Sequence, residues 1–303
     1  MSDGENTPSA TPDRNAVDAT DLAPAADGVG PPDLDRVRAV FVSDVHLGCE
    51  YARADAFLAF IESVRPDVLY LVGDFIDGWR LKKRWYWVPA YDDILGRMVT
   101  LIDGGTRVCY TPGNHDEFLR DFPIHVDGVT IRDEFVHQTA DGRRVLVLHG
   151  DRFDVFERQA KWISVVLTFA YDWLLWANRL VGFGRGRGRP DYAFSAAVKS
   201  RAKWVARFFS DFERSVAKHA KRVDCVAAVC GHIHKPSMQA VDGVLYANSG
   251  DWIEHATALV EYDDGRLELV EADGQRYRRL TSMTGRSGTA SARPDDELAT
   301  VAG

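Results

Sequence analysis

Apolar runs and helically spaced apolar positions alternate along the chain between residues 36 and 280. Short apolar runs predict buried β-strands, whereas apolar residues spaced three and four apart predict amphipathic helices. The predicted strands are, in order, VRAVFVSDV, DVLYLVGDF, RVCYTPGNH, VTIRDEFVHQ, RRVLVLHGD, CVAAVCGH, GVLYANSGDW, ATALVEY and RLELVEA. The predicted helices are ADAFLAFIESV and YDDILGRMVTLIDG. This order indicates an α/β layered domain, parallel at first and more antiparallel toward its end.

The strand pattern is interrupted over residues 152–222, where apolar residues recur at helical spacing. Within this insertion, residues 162–183 form a long apolar stretch broken by Asp172, Asn178 and Arg179. Three interpretations stand: a transmembrane helix, a helical cap packed on the core or on a second subunit, and an interfacial cap that faces lipid. The first is the weakest, because it would divide one folded domain. The insertion carries 15 basic and 6 acidic residues, which favours contact with anionic partners.

The net charge of −8 belongs to the two ends of the chain. Residues 1–35 contain eight acids against one arginine and are rich in Pro, Ala, Gly and Asp, so we expect a disordered acidic tail. Residues 281–303 have a similar composition and are expected to be a second disordered tail. The N-terminus matches no secretory signal, and the four cysteines have no CxxC spacing, so a cytoplasmic protein with reduced thiols is expected.

Polar clusters follow five of the predicted strands, where apolar residues would pack better. The clusters are Asp44-Val45-His46, Gly73-Asp74-Phe75-Ile76-Asp77, Gly113-Asn114-His115-Asp116, His149-Gly150-Asp151 and Gly231-His232-Ile233-His234. Each one alone is more typical of a turn than of a ligand set. Because sites form beyond the carboxyl ends of strands in α/β sheets, five clusters together predict one shared centre. Converging carboxylates would repel one another without cations, and mixed Asp, His and Asn donors suit two divalent ions.

The motif order DxH…GDxxD…GNHD…HGD…GHxH resembles the calcineurin-like metallophosphoesterase superfamily over essentially all of residues 36–280. The resemblance implies a layered β-sandwich flanked by helices, with residues 152–222 as a helical lid insertion. It also implies two divalent ions, with Mn²⁺ favoured over Fe²⁺, Zn²⁺ or Mg²⁺. The implied ligands are Asp44, His46 and His234 for one ion, Asn114, His149 and His232 for the other, and Asp74 as the bridge.

The same resemblance implies roles for four residues around these ligands. His115 would contact the phosphate and protonate a leaving group, and Asp116 would orient the His115 imidazole. Asp77 and Asp151 would lie behind the ligands and bond ligand histidines or backbone. The implied chemistry is hydrolysis of a phosphate ester or anhydride.

The segment GDFIDGWRLKKRWYW, directly after Asp74, provides a first indication of the substrate. Its aromatic and basic residues include the candidate substrate contacts Trp79, Arg80, Lys83 and Arg84. The segment suits an anionic head group or a base, although its aromatics could equally pack on the core.

Together with the insertion, this segment resembles the UDP-2,3-diacylglucosamine pyrophosphatase branch of the superfamily. That branch acts in lipid A assembly, peripheral to the inner membrane, on a lipid-linked nucleotide sugar. Two departures from the branch pattern stand near the centre: His115 replaces an arginine and Asp77 replaces a glutamate.

The resemblance implies a hydrolase that releases UMP and an acylated sugar 1-phosphate at the cytoplasmic face of a membrane. A nucleotide phosphodiesterase or nuclease is the alternative, because the basic insertion could bind nucleic-acid phosphates. Residues 162–183 are mostly aliphatic and bulky aromatic, which favours lipid over nucleic acid. A non-catalytic adaptor ranks last, since no ligand position is missing. The sequence leaves open whether two chains pair through the insertion.

Overall fold

A computed structural model of the protein shows two β-sheets with flanking helices. The model describes residues 22–24, 34–121, 127–153, 207, 209–273 and 276–283. The strands are β1 (Leu22–Pro24), β2 (Val37–Val42), β3 (Pro66–Val72), β4 (Arg107–Thr111), β5 (Val129–Ile131), β6 (Glu134–Gln138), β7 (Arg144–Leu148), β8 (Ala227–Cys230), β9 (Ser237–Val241), β10 (Val244–Asn248), β11 (Thr257–Glu261), β12 (Leu267–Asp273) and β13 (Arg276–Met283). The helices are α1 (Ala54–Ser63), α2 (Gly78–Lys83), α3 (Pro89–Asp103) and the helical residues 209–222, here called α4.

The first sheet has eight strands in the order β1-β13-β12-β11-β2-β3-β4-β5. Strands β2 to β5 run parallel, and β11, β12, β13 and β1 continue the sheet antiparallel. The second sheet has the order β6-β7-β8-β10-β9, in which β7, β8 and β10 are parallel. Parallel strands in both sheets end on the same side as their neighbours, which gathers their following loops at shared edges.

The two sheets face each other, and helices cover their outer faces. Along β2, Val40 and Val42 belong to a core shared with α1 and α3, whereas Ala39 and Phe41 belong to the core between the sheets. This alternation follows from the two-residue period of a strand. A third core joins the second sheet to α4 through residues such as Phe212. The layered sandwich with flanking helices confirms the predicted fold class.

Several element boundaries differ from the prediction. The run VTIRDEFVHQ, predicted as one strand, forms β5 in the first sheet and β6 in the second. Periodicity cannot reveal this change of sheet, because both halves are strands. Strands β9 and β13 are not predicted, since their half-buried or edge positions carry polar residues. Strand β1 lies within the predicted acidic tail and pairs with β13, which extends past residue 280 to Met283.

Within the two predicted tails the structure describes only β1, residues 34–35 and the end of β13, so the rest of the predicted disorder lies outside the described residues. Most of the insertion, including residues 162–183, also lies outside them; its described residues are 152–153, at the end of a 3₁₀ turn, and the helical residues 207 and 209–222. No helix among the described residues is both long and apolar enough to cross a membrane.

A buried polar network joins the two sheets far from the strand ends that carry the motifs. His137 Nε2 lies 2.6 Å from Glu261 Oε2, and its Nδ1 lies 3.1 Å from the hydroxyl of Tyr70. Arg38 approaches the other Glu261 oxygen at 3.4 Å. Glu261 is fully buried, so the charges and hydrogen bonds around it must compensate its lost hydration.

Candidate metal centre

The backbone turns sharply at the strand ends that carry the motif residues. Five non-glycine residues there have left-handed φ angles: Asp44 (54°), His46 (55°), Asp74 (52°), His232 (68°) and His234 (53°). This region is costly for residues with a Cβ and persists where the surrounding structure imposes it. The turns direct alternate polar side chains into the space between the sheet edges.

One set of donor atoms converges from β2, β3 and the loop after β8. His234 Nε2 lies 3.1 Å from Asp44 Oδ1. His46 Nε2 lies 3.9 Å from the same oxygen and 4.0 Å from Asp74 Oδ2. Asp44, His46 and Asp74 are buried, and His234 borders solvent. These atoms lie around one point, as ligands of a single ion would.

A second set converges beside the first, from the loops after β4, β7 and β8. Asn114 Oδ1 lies 3.4 Å from His149 Nε2 and 3.2 Å from His232 Nδ1. His149 Nε2 also lies 3.4 Å from Asp74 Oδ2. Asp74 therefore stands between the two sets, in the position expected of a shared ligand.

The donors fit divalent metal ions on two further observations. His46 Nε2 is buried and has no hydrogen-bond partner among the described residues, and the nearest carboxylate oxygens lie 3.9 and 4.0 Å from it. Such atoms are costly to bury unless something coordinates them. The backbone also leaves room for the donors: a Cβ on Gly113 would stand 2.3 Å from Asp74 Oδ1, and one on Gly231 would stand 2.4 Å from Asp44 Oδ2.

The electrostatics of the cluster show carboxylates balanced by imidazolium groups. Burial opposes the charge of Asp44, but His234, His149 and His46 together outweigh burial and hold the pKa of Asp44 well below its usual range. Burial also opposes protonation of the histidines, yet Asp74 raises the pKa of His149 to about 10 and Asp44 raises that of His234 to about 9. A bound divalent cation would displace protons from these histidines, since a metal ligand must be a neutral imidazole.

His115 lies at the rim of the cluster, and Asp77 orients it. Its Nδ1 lies 2.9 Å from Asp77 Oδ1, and its backbone N–H donates to Asp74 Oδ1 at 2.7 Å. Burial opposes protonation of His115, but the bond to Asp77 together with the charges of Asp74, Asp77 and Asp44 outweighs burial, so the pKa of His115 is raised. Asp77 Oδ2 also approaches His46 Nδ1 at 3.4 Å, so Asp77 lies behind one of the candidate ligands.

Asp116 does not make the contact expected of it. Its Oδ1 accepts from the Gly113 N–H at 2.6 Å, and its Oδ2 accepts from the Phe75 N–H at 2.9 Å and the Tyr110 hydroxyl at 2.5 Å. The expectation that Asp116 orients the His115 ring is therefore wrong, because both Asp116 oxygens accept from backbone N–H groups and Tyr110, and Asp77 contacts the ring instead. Burial, followed by the charge of Asp74, raises the pKa of Asp116. These hydrogen bonds of Asp116 connect the loop after β3 with the loop after β4.

Asp151 likewise bonds neither a ligand histidine nor backbone in the described contacts. Its Oδ2 accepts from Arg120 Nη2 at 3.0 Å. The Nδ1 atom of His149 instead lies 2.9 Å from the carbonyl oxygen of Val72, which fixes the imidazole with Nε2 toward Asn114.

The four candidate substrate contacts lie on or directly after α2, beside His115. Trp79 stacks on the His115 ring with centroids 4.3 Å apart. Arg80 pairs with Asp77 Oδ2 at 3.3 Å and lies over an exposed tyrosine, Tyr51. Lys83 and Arg84 are exposed and take part in no ion pair within the described residues. Helix α2 buries none of its residues, so its side chains are presented to solvent at the site's edge.

The loop after β10 supports the centre, although the sequence analysis assigned it no role. Asn248 Nδ2 donates to the Gly231 carbonyl at 2.6 Å, and Ser249 Oγ lies 2.8 Å from Ser43 Oγ. Asp251 accepts from the backbone N–H of Ile253 at 2.7 Å. The polar run NSGD at the end of β10 repeats the pattern of the other strand ends, and this pattern in the sequence could have indicated that the loop belongs to the centre.

Comparisons with known proteins agree with this geometry. A family model described as calcineurin-like phosphoesterase matches residues 37–236. The chain is 30% identical over 241 residues to UDP-2,3-diacylglucosamine hydrolase of Pseudomonas aeruginosa, covering 73% of this chain and 93% of the relative. It is 30% identical over 250 residues to the protein of that name from Edwardsiella ictaluri, covering 77% and 91%.

Among solved structures, Yfce, a phosphoesterase from E. coli, aligns with a TM-score of 0.42 and 14% identity, covering 82% of this chain and 99% of that chain. The family model spans the strand ends that carry both donor sets. The chain belongs to the calcineurin-like phosphoesterase family.

Proposed function

We propose that this protein is a two-metal hydrolase that cleaves the pyrophosphate of UDP-2,3-diacylglucosamine or a similar lipid-linked nucleotide sugar. The products would be UMP and an acylated sugar 1-phosphate. The observation that carries the reaction class is the pair of convergent donor sets that share Asp74. The names of the relatives support the choice of substrate.

In this proposal one ion is held by Asp44, His46 and His234, and the other by Asn114, His149 and His232, with Asp74 shared. We favour Mn²⁺ because the family resemblance implies it, and mixed Asp, His and Asn donors are compatible with this ion. When bound, the two ions would supply Lewis-acid activation of water and neutralise charge on the phosphoryl group.

The chain's own residues would complete the reaction. His115 would donate a hydrogen bond and a proton to the oxygen that departs as the P–O bond of the anhydride breaks. Asp77 would hold the His115 ring through the 2.9 Å contact to Nδ1, which leaves Nε2 to face the substrate. Trp79 would pack against a planar or apolar part of the substrate beside the scissile bond.

The exposed cations Lys83 and Arg84 would contact phosphate groups of the substrate or of the surrounding lipid. We therefore infer that the protein works at the cytoplasmic face of a membrane, attached peripherally. Its support is the exposed basic helix α2 beside the centre, together with the basic composition of the insertion.

The decisive test is Mn²⁺-supplemented turnover of three substrates by the full chain: a UDP-diacyl sugar, the UDP-sugar without acyl chains, and a single-stranded oligonucleotide. We expect a clear preference for the acylated substrate and no turnover by Asp74→Asn. The control Asp92→Asn removes a carboxylate that accepts from Trp87 Nε1 on the surface, and should keep full activity. Equal rates on both sugars would refute the acyl-chain specificity. Faster cleavage of the oligonucleotide would favour a nuclease, and retained turnover by Asp74→Asn would refute the metal assignment.

A further inference from the structure

One charged side chain ties together two loops that carry the second donor set. Arg120 ends the short 3₁₀ turn that follows the GNHD motif. Its Nη2 atom donates to the carbonyl oxygen of Pro112 at 2.7 Å and to Asp151 Oδ2 at 3.0 Å. Pro112 lies two residues before Asn114, and Asp151 lies two residues after His149. A single guanidinium group therefore reaches both loops next to their donors.

The two loops belong to different sheets, which gives this contact its importance. The Asn114 loop follows β4 in the first sheet, and the His149 loop follows β7 in the second. The distance between Asn114 Oδ1 and His149 Nε2 therefore depends on how the sheet edges are held relative to each other. Asp44 and His46 of the first donor set lie in the loop after β2, and none of the described contacts joins that loop to Arg120.

We propose that Arg120 is a positioning residue for the second metal site, acting through Pro112 and Asp151. This inference rests on the two-ion centre of the proposed function. Arginine suits the task because the two N–H donors of Nη2 can bond the carbonyl and the carboxylate together, while Nε of the same planar group lies 3.3 Å from Asp133 and fixes its orientation; the flexible ammonium group of lysine has no such second anchor. The side chain of Arg120 is 24% exposed and that of Asp151 is 13% exposed, so solvent competes only partly for the contact.

The surrounding charges provide a matched control. Asp133 lies 3.3 Å from Arg120 Nε and 2.5 Å from Arg152 Nη2. Arg152 is next to Asp151 in the chain, carries the same charge and is 57% exposed. Its described ion pair is to Asp133, with no contact to Pro112 or Asp151. Arg152→Ala therefore removes an equal charge from the same cluster without breaking the link between the loops.

The test measures Mn²⁺ binding to the full chain by calorimetry and by electron paramagnetic resonance, with no substrate present. For Arg120→Ala we expect the Mn²⁺ ion of the second metal site to bind about 10- to 100-fold more weakly, while the ion of the first site keeps its affinity. The signal of a spin-coupled Mn²⁺ pair should give way to that of a single ion at the same Mn²⁺ concentration. Asp151→Ala should also weaken Mn²⁺ binding at the second site, and Arg120→Lys should weaken it less than Arg120→Ala does. Arg152→Ala should bind both ions as the wild type does.

Several results would overturn the proposal. Wild-type affinity for both ions in Arg120→Ala would exclude a positioning role, and an equal loss at both sites would indicate a general structural role. A loss in Arg152→Ala as large as in Arg120→Ala would attribute the effect to charge alone. A wild-type chain that binds one ion would refute this proposal together with the two-ion centre. Failure to cleave a lipid-linked nucleotide sugar would refute the proposed substrate only, because no turnover is measured here.

Discussion

Gly113 offers a test of the centre that removes no donor atom. A Cβ built on Gly113 would lie 2.3 Å from Asp74 Oδ1 and 2.6 Å from His149 Nε2, far inside normal contact distance. Both neighbouring side chains are buried, so neither can move aside freely. The φ angle of Gly113 is not in the left-handed region, so alanine can adopt the backbone conformation. Gly113→Ala should therefore displace the shared carboxylate and His149 while all ligands remain present.

The expected magnitude follows from linkage between binding and folding. For each ion, a free Mn²⁺ concentration 100 times the dissociation constant of its site should add about 2.7 kcal/mol to the stability of the wild type. For a domain of this size each kcal/mol raises Tm by about 2–4 °C, which gives a shift of about 5–10 °C for each bound ion. Gly113→Ala should lose most of this shift, and overpacking should lower its metal-free stability by about 1–3 kcal/mol.

The assay is thermal unfolding with and without MnCl₂, beside turnover of bis(p-nitrophenyl) phosphate as a generic phosphodiester. Gly96→Ala is the matched control, because it lies on the exposed face of α3 and an added Cβ there meets no atom within 4 Å. It should be slightly more stable than the wild type, by about 0.5–1 kcal/mol, and fully active. A Gly113→Ala variant that keeps the full Mn²⁺ shift and normal turnover would refute the proposed positions of Asp74 and His149.

Three further predictions concern the rim, the substrate contacts and the distant core. His115→Ala should lower kcat by about 10²- to 10⁴-fold with Mn²⁺ binding retained, and Asp77→Asn should reproduce part of that loss; unchanged kcat in steady-state kinetics would exclude His115 as the proton donor. Lys83→Ala combined with Arg84→Ala should raise KM for a UDP-diacyl sugar without changing kcat, and an unchanged KM would remove these cations from the substrate contacts. Glu261→Ala should cost about 3–5 kcal/mol in urea unfolding with normal turnover of the folded fraction, because it breaks a buried charge network remote from the centre; a loss below 1 kcal/mol would show that the network contributes little.

Much of the fold follows from local patterning. The runs that became β2, β3, β4, β7 and β8 are apolar on both faces, because each strand is covered by a helix layer or the second sheet on either side. Helices α1 and α3 show their periodicity equally clearly. Elements at the periphery escaped prediction: β13, next to the edge strand β1, is rich in arginine, and α2 has no buried face from which a pattern could arise.

The sequence by itself determined the donors of the centre, since residue types and order at five strand ends already indicate a metal-dependent phosphoesterase. Only the tertiary structure decided which carboxylate contacts the His115 imidazole. Asp77 and Asp116 both lie beside the centre, and the family resemblance implied Asp116 as the partner of His115. In the fold, Asp116 accepts hydrogen bonds from three backbone N–H groups and the Tyr110 hydroxyl, so Asp77 from another strand end contacts the His115 imidazole. The cross-sheet link of Arg120 to Asp151 is equally invisible in sequence, because packing of two sheets, rather than local periodicity, sets distances between residues remote along the chain.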